Sequence, residues 1–250
     1  MLKIFLTGVS GAMGKVLQEV IKEDPDCEVV AGFDLVPNDT LSFPVYNSLD
    51  TNCEKADVII DFSHFLGADA ILGYALETKT PLVMATTGLS QRQLDELKEA
   101  SKIIPVFKTA NMSLGINLLA KALRELSKDL EGGFDIEIIE KHHNKKLDSP
   151  SGTALLLADA INEGLENPKD YTFGRSGREA KREKSELGIH AIRGGTIPGE
   201  HSVLFAGNDE ILEFKHTALS KKVFANGAVV AAKYLVSKKP GYYNMEDVIA

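Results

Sequence analysis

The sequence has little cysteine, no excess of positive charge and no long apolar run. Cysteine occurs twice in 250 residues, at Cys27 and Cys53. Two isolated cysteines build neither a secreted disulfide framework nor a zinc site, so both are expected to be reduced packing residues. The 28 Lys and Arg are outnumbered by 36 Asp and Glu, for a formal charge of −8. A net acidic surface repels a polyphosphate backbone, which argues against nucleic acid as a partner and leaves local basic clusters for small anions. No run approaches the roughly 20 apolar residues that cross a bilayer. The opening Met1–Gly8 is too short for a signal peptide and reads as a strand, so no membrane partner and a cytoplasmic location are expected. Repeats and low-complexity tracts are also missing.

A balanced globular composition is present, 44% hydrophobic and 26% charged. A chain of this length buries enough surface to fold without staples, as one large domain or two small ones. Its first part alternates apolar runs with helical patterns. Strands are expected over Leu2–Thr7, Glu28–Phe33, Asp57–Asp61, Pro81–Ala85 and Ile103–Phe107. Helices are expected over Met13–Glu23, Gly67–Thr78 and Ser90–Ser101, the last opened by a Ser90/Gln93 capping box. Continuous apolar strands between helices mean a parallel sheet covered on both faces, the doubly wound Rossmann-type layout.

Beyond residue 113 the pattern changes. Ile116–Leu130 is an amphipathic helix, and Phe134–Ile138 alternates apolar and acidic residues as a half-exposed strand does. Ile189–Ile192 and Ser202–Phe205 read similarly, and Gly207-Asn208-Asp209 marks a hairpin. The fold class is therefore α/β: a nucleotide-type domain over 1–113 plus an α+β domain over 114–220 with an open mixed or antiparallel sheet. The open face suggests an oligomer. Residues 164–188 read as a long surface excursion, and the segment 221–250, with a helix over Phe224–Lys238, is expected to pack back on the first domain.

Two segments carry chemistry. The first strand ends in Gly8-Val9-Ser10-Gly11-Ala12-Met13-Gly14. Glycines between a strand and a helix let backbone N–H groups approach a pyrophosphate, and the helix dipole favours the anion. Asp34, ending the second strand, suits the adenosine ribose hydroxyls. A carboxylate there repels a 2′-phosphate, and Leu35-Val36-Pro37 offers no cation, so NADH is expected over NADPH, with NADPH still possible. The loops Asp61–His64, Ala85-Thr86-Thr87-Gly88 and Ala110-Asn111-Met112-Ser113 follow later strands, where ligands of open α/β sheets bind. Ser63 and Ser113 serve equally well as caps, and His64 reads as a loop cap rather than a catalyst.

The second segment is Glu140-Lys141-His142-His143-Asn144-Lys145-Lys146-Leu147-Asp148-Ser149-Pro150-Ser151-Gly152-Thr153-Ala154. Histidine exchanges protons near neutrality and lysine offers a cation to an acidic substrate. If the strand extends that far, His142 and His143 point to opposite faces, which disfavours their sharing a metal, and no metal is expected. Ser151, Gly152 and Thr153 open a helix whose start, capped by Ser151, suits a carboxylate. A small reducible carboxylic acid is the implied substrate. The loop from Arg193-Gly194-Gly195 to His201 closes on substrate or builds a subunit contact; the residues do not choose between them.

Taken together, these segments resemble the 4-hydroxy-tetrahydrodipicolinate reductase (dihydrodipicolinate reductase) family along the whole chain. The E-x-H-H-x-x-K-x-D-x-P-S-G-T-A run carries most of the likeness, with the glycine turn, T-T-G at 86–88, A-N-M-S at 110–113 and R-G-G at 193–195 in family order. The resemblance implies an NAD(P)H-dependent reduction of a cyclic unsaturated dicarboxylate in lysine and diaminopimelate synthesis, by a homotetramer assembled through its second domain. It makes His142 the proton donor/acceptor, His143 a substrate contact, Lys146 a proton donor, and Gly152 and Thr153 carboxylate ligands. Leu35 stands where many members carry a basic residue, and Met112 where an aromatic is common. Rival readings are another two-domain nicotinamide dehydrogenase, which would need a different substrate loop, and a nucleotide sensor indifferent to changes at His142 and Lys146.

Overall fold

The computed structural model describes residues 1–36, 40–50 and 52–249. In chain order the elements are β1 (Leu2–Thr7), α1 (Ala12–Glu23), β2 (Cys27–Phe33), β3 (Val45–Tyr46), β4 (Val58–Asp61), α2 (Ala68–Thr78), β5 (Leu82–Met84), α3 (Gln91–Ala100), β6 (Pro105–Lys108), α4 (Leu114–Leu130), β7 (Asp135–His142), α5 (Gly152–Gly164), β8 (Asp170–Phe173), β9 (Glu186–Arg193), β10 (Gly199–Ala206), β11 (Ile211–Ala218), α6 (Lys222–Leu235), β12 (Gly241–Tyr243) and α7 (Met245–Ile249). They form two compact units: Met1–Met112 with Lys221–Ala250, and Ser113–Ser220. Ser113 thus falls in the second unit rather than the first.

The first unit is a seven-stranded parallel sheet in the order β12-β6-β5-β4-β1-β2-β3. Alternate strand residues point to opposite faces, and both faces are covered. Ile4, Leu6, Ile60, Val83 and Phe107 pack with Leu17 and Ile21 of α1 and the alanine-rich side of α6. Phe5, Ile59, Leu82, Met84 and Val106 pack with Ile71 and Ala75 of α2 and Leu97 of α3. The capping box at Ser90 forms in full. Every strand therefore ends on the same edge, which gathers their loops. Cys27 and Cys53 are buried free thiols.

The second unit is a mixed sheet in the order β11-β10-β7-β9-β8. Strands β10–β11 and β10–β7 are antiparallel, while β7–β9 and β8–β9 are parallel. Helices α4 and α5 cover one face, where Leu123, Leu157 and Ile161 meet Ile136, Ile138, Val203 and Phe205. The other face exposes Ile192 and Ile211. The hairpin turns through Asp209, in the left-handed region at φ 61°.

The expected surface excursion over 164–188 needs correction. Asp170–Phe173 pairs with β9, and Arg175 and Arg182 bind the Glu137 carboxylate at 3.0–3.1 Å. That ion pair network anchors a polar segment that has no apolar run of its own. Strand β7 also runs on to His142, beyond the apolar alternation that signalled it. Among the described residues no helix is long and apolar enough to cross a membrane.

Phe205 is fully buried between the sheet and its helices. Phe205→Ala should cost about 3–5 kcal/mol of stability, read as a lower denaturation midpoint. Replacing the exposed Leu147 by Ser should stay within about 0.5 kcal/mol.

Candidate active site

In the first unit, strand β1 delivers the glycine turn onto the sheet edge. Gly8 sits at φ +76°, and a Cβ on Gly14 would lie 2.1 Å from the Gly8 carbonyl oxygen, so neither position accepts a side chain. Gly11 begins α1 without a side-chain cap, which leaves the first helical N–H groups of Ala12 and Met13 to an anion. Asp34 is held at the end of β2 by the Ser10 N–H at 2.9 Å and the Val36 N–H at 3.3 Å. Pro37 lies outside the described residues.

The neighbouring strand ends carry buried polar atoms that no protein group satisfies: Ser10 Oγ, Ser63 Oγ, Thr86 Oγ1 and one oxygen of Asp61. Asp61 is fully buried and accepts from Thr7 Oγ1 at 2.5 Å and the Ser63 N–H at 3.0 Å. Lys108 donates to the Thr86 carbonyl at 3.0 Å. Burial pushes the Lys108 ammonium below its usual range against the opposing charge of Asp61. Unsatisfied hydroxyls beside a glycine cradle and an uncapped helix fit the phosphates, ribose and carboxamide of a dinucleotide. Thr7 and Lys108 went unnoticed in sequence because each closes an ordinary apolar strand, while Asp61 was legible only as the start of a cleft loop.

Several residues expected to contact the cofactor have their side chains engaged within the protein. Val9 and Met112 turn their side chains into the core, leaving only backbone atoms for a ligand. Ser113 is fully buried, caps α4 by accepting from the Ile116 N–H at 3.3 Å, and meets His216 Nε2 at 3.4 Å. Its cap role prevails. His64 is also a cap, accepting from the Leu66 N–H at 3.3 Å. Ala85 is buried, whereas Thr87, Gly88 and Ala110 are exposed.

In the second unit the inner sheet face changes from apolar to polar along its length. Beyond Ile136 and Ile138, β7 presents Glu140 and His142, β10 presents His201, β11 His216 and β9 Arg193, at paired register positions. Glu140 is fully buried and His142 is 8% exposed. Glu140 Oε2 meets His142 Nδ1 at 2.7 Å and Arg193 Nη1 at 2.7 Å; Oε1 accepts from Arg193 Nη2 at 2.7 Å and the Ser151 N–H at 2.9 Å. Burial pushes Glu140 up, but Arg193, His142 and the Ser151 N–H together hold its carboxyl below the usual range. Burial pushes the His142 imidazole below 6.5, against the raising effect of Glu140 and with a further lowering from Lys146 and Arg193.

His143 lies just past the end of β7, half-buried, with Nδ1 unsatisfied by the protein. Lys146 pairs with Asp148 at 2.8 Å. Burial raises Asp148, but Lys146 and the N–H groups of Asp148 and Gly152 outweigh it and hold the carboxyl low. Asp148 thus places a carboxylate between Lys146 and the start of α5, the position the sequence assigns to a substrate carboxylate. Ser151, expected both as cap and as substrate contact, caps α5. It is 1% exposed, its N–H is used by Glu140, and its Oγ accepts from the Ala154 N–H at 3.1 Å and meets His201 Nε2 at 2.9 Å. The helix start therefore offers Gly152, exposed, and Thr153, half-buried. The loop after Arg193 packs back on this segment through Gly194 N–H to the His142 carbonyl at 2.9 Å. Glu140, Arg193 and His201 were missed as site residues because their meeting depends on strand register. Among the described residues no His, Cys, Asp and Glu group is arranged to hold a metal.

Parallel sheet and glycine turn define the nucleotide-dependent oxidoreductase class, with the imidazole–lysine cluster carried on the second unit. Family models described as dihydrodipicolinate reductase, N-terminus and C-terminus, match residues 2–112 and 115–249. The chain belongs to the dihydrodipicolinate reductase family. It is 51% identical to a 4-hydroxy-tetrahydrodipicolinate reductase of Caldanaerobacter subterraneus subsp. tengcongensis, over 100% of this chain and 98% of that one. It is 48% identical to the Clostridium tetani reductase, over 100% and 97%. The fold matches a dipicolinate-bound dihydrodipicolinate reductase from Paenisporosarcina sp. TG-14 at a TM-score of 0.78, 23% identity and 99% coverage of both chains. It also matches a myo-inositol dehydrogenase from Corynebacterium glutamicum at 0.61 and 16%, covering 100% of this chain and 92% of that one.

Burial pushes His201 down to about 4. An unfolded imidazole takes up its proton near 6.5. Between those values the unfolded chain binds more protons, so stability is full at neutral pH and falls with acidification. His201→Gln should remove about 2 kcal/mol of the loss between pH 7 and pH 5, measured as a flatter dependence of unfolding free energy on pH.

Proposed function

We propose that this chain reduces 4-hydroxy-tetrahydrodipicolinate to tetrahydrodipicolinate, with loss of water, in lysine and diaminopimelate biosynthesis. The observation that carries the reading is the cluster in which a carboxylate-bound imidazole, His142, stands with Lys146 and the carboxylate-holding start of α5, in a chain that matches the reductase family along its length.

A reduced pyridine nucleotide, when bound, supplies the hydride. Gly8, Ser10, Gly11, Ala12 and Met13 would hold its pyrophosphate. Asp34 would meet the adenosine ribose, and Thr86, Thr87, Gly88, Ala110 and Asn111 would line the nicotinamide end. The Asp34 carboxylate beside Leu35 favours NADH, because a 2′-phosphate would meet a negative charge.

The chain's own groups do the rest. Lys146, Gly152 and Thr153 bind the carboxylates of a small cyclic dicarboxylate, and His143 adds a contact. Lys146 donates a proton, and His142 donates or accepts one. Nδ1 of His142 is committed to Glu140, so exchange runs through Nε2. A homotetramer through the second unit is the proposed assembly, supported by the sheet face that exposes Ile192 and Ile211. The two unpaired thiols suit a reducing cytoplasm.

Turnover is followed as loss of the reduced-nicotinamide absorbance, with substrate generated enzymatically. His142→Ala should lower kcat by about 10²–10⁴-fold with a smaller change in KM, and Lys146→Ala should also raise KM. Near-normal kcat in His142→Ala would remove that residue from proton transfer. In the same assay kcat/KM should be higher with NADH; a clear preference for NADPH would defeat the role given to Asp34.

A further inference from the structure

We propose that Glu140 and Arg193 act as a positioning pair, which fixes the nitrogen of His142 that carries a proton and ties this imidazole to the start of α5. The inference rests on the reading that His142 exchanges a proton with the substrate.

Glu140 is two residues before His142 on the same face of β7, and Arg193 is the register partner of His142 on β9. The guanidinium grips both carboxylate oxygens at 2.7 Å and donates to the Asp148 carbonyl at 2.8 Å. A buried carboxylate with no cation would take up a proton; the two-pronged contact with Arg193 keeps it ionised. An ionised carboxylate only accepts hydrogen bonds. His142 Nδ1, 2.7 Å away, must therefore present its N–H, and Nε2 is left for exchange.

The surroundings agree. A Cβ on Gly199 would sit 3.1 Å from His142 Nε2, so glycine at that place keeps a side chain off the exchanging nitrogen. The charged and titratable groups around the ring are Glu140 on its own strand, Arg193 on β9, His201 on β10 with ring centroids 5.2 Å apart, and Lys146 with its partner Asp148 on the following loop. Only Glu140 favours the cation among those acting directly on His142. The other oxygen of the carboxylate holds the Ser151 N–H at 2.9 Å. Withdrawing Glu140 would thus release both the imidazole and the helix that presents Gly152 and Thr153.

The test is a pH titration of the ¹⁵N-labelled resting enzyme by NMR, with the His142 signals identified by their loss in His142→Ala. In the unaltered enzyme the neutral ring should carry its proton on Nδ1. In Glu140→Gln the amide oxygen should turn to Ser151, whose N–H can only donate, and the NH₂ should face Nδ1. The ring proton then moves to Nε2 and the titration midpoint shifts to lower pH. Arg193→Gln should shift the midpoint of the coupled imidazole–carboxylate pair to higher pH, because the pair holds its shared proton more tightly once the neighbouring cation is lost. Glu140→Gln should lower kcat on the order of 10²-fold, with KM changed far less, and Glu140→Asp should recover part of kcat. A neutral ring protonated on Nε2 in the unaltered enzyme would overturn the proposal. So would an unmoved tautomer in Glu140→Gln, midpoint shifts of the same sign in the two variants, or a Glu140→Asp no faster than Glu140→Gln. Should Glu140→Gln not fold, the tautomer of the unaltered enzyme and the Arg193→Gln shift still decide. The titration needs no turnover, so an enzyme that titrates as expected yet fails to reduce the substrate refutes the functional reading and not the pair.

Discussion

The second unit is organised around one buried negative charge. Glu140 has no exposed surface, and removing a carboxylate from water is costly unless its lone pairs are satisfied. Here four donors satisfy them: two from Arg193, one from His142 and one from the Ser151 backbone. The compensation demands that the end of β7, the end of β9 and the start of α5 meet at one point. Those are the segments that carry the His142 imidazole proposed to exchange a proton, the Arg193 loop and the start of α5 proposed to bind a carboxylate. The condition that makes the charge tolerable is the same one that assembles the site.

The sheet makes this possible without a separate scaffold. On β7, Ile136, Ile138, Glu140 and His142 occupy one face at a period of two, and on β10 Phe205, Val203 and His201 oppose the first three. One half of the face is core and the other half is chemistry. The apolar half holds the strands in register against α4 and α5, and register then delivers the polar half to within hydrogen-bond distance. The first unit uses a different device. There β1 past Lys3, β4 and β6 are apolar up to their last residues, and Thr7, Asp61 and Lys108 stand where these parallel strands end.

This division explains what was legible in the sequence. The glycine turn, the Ser90 capping box, the hairpin at Gly207–Asp209 and the helix opened by Ser151 depend on contacts a few residues apart, so local pattern revealed them. Strand β7 was visible only to Ile138, since the apolar alternation stops at Glu140 and the continuation is stabilised by partners on β9 and β10. Strand β8 was hidden because Asp170–Phe173 has no apolar run, and its place depends on Arg175 and Arg182 reaching Glu137. Ser113 and Ser151 show the limit of residue type: a hydroxyl at a helix start serves ligand or cap, and burial decides for the cap. Arg193 could be seen as a cation in a glycine loop, but its partner lies 53 positions away in the chain.

Two carboxylates in this site illustrate how exposure separates roles that residue type leaves equal. Both Glu140 and Asp148 pair with a cation, and both have their carboxyl held low. Glu140 is enclosed and held by four donors, so a solute anion does not displace it from Arg193. The side chain of Asp148 is 56% exposed, and its partners Lys146 and the Gly152 N–H are the groups assigned to the substrate. A carboxylate arriving from solution meets Asp148 on equal electrostatic terms and can take its place, because the water that screens the resting pair also hydrates the displaced side chain. The buried pair therefore sets geometry and the exposed pair remains exchangeable, which is the arrangement the proposed reaction needs, with an acid–base group held still beside a place that admits and releases an anion.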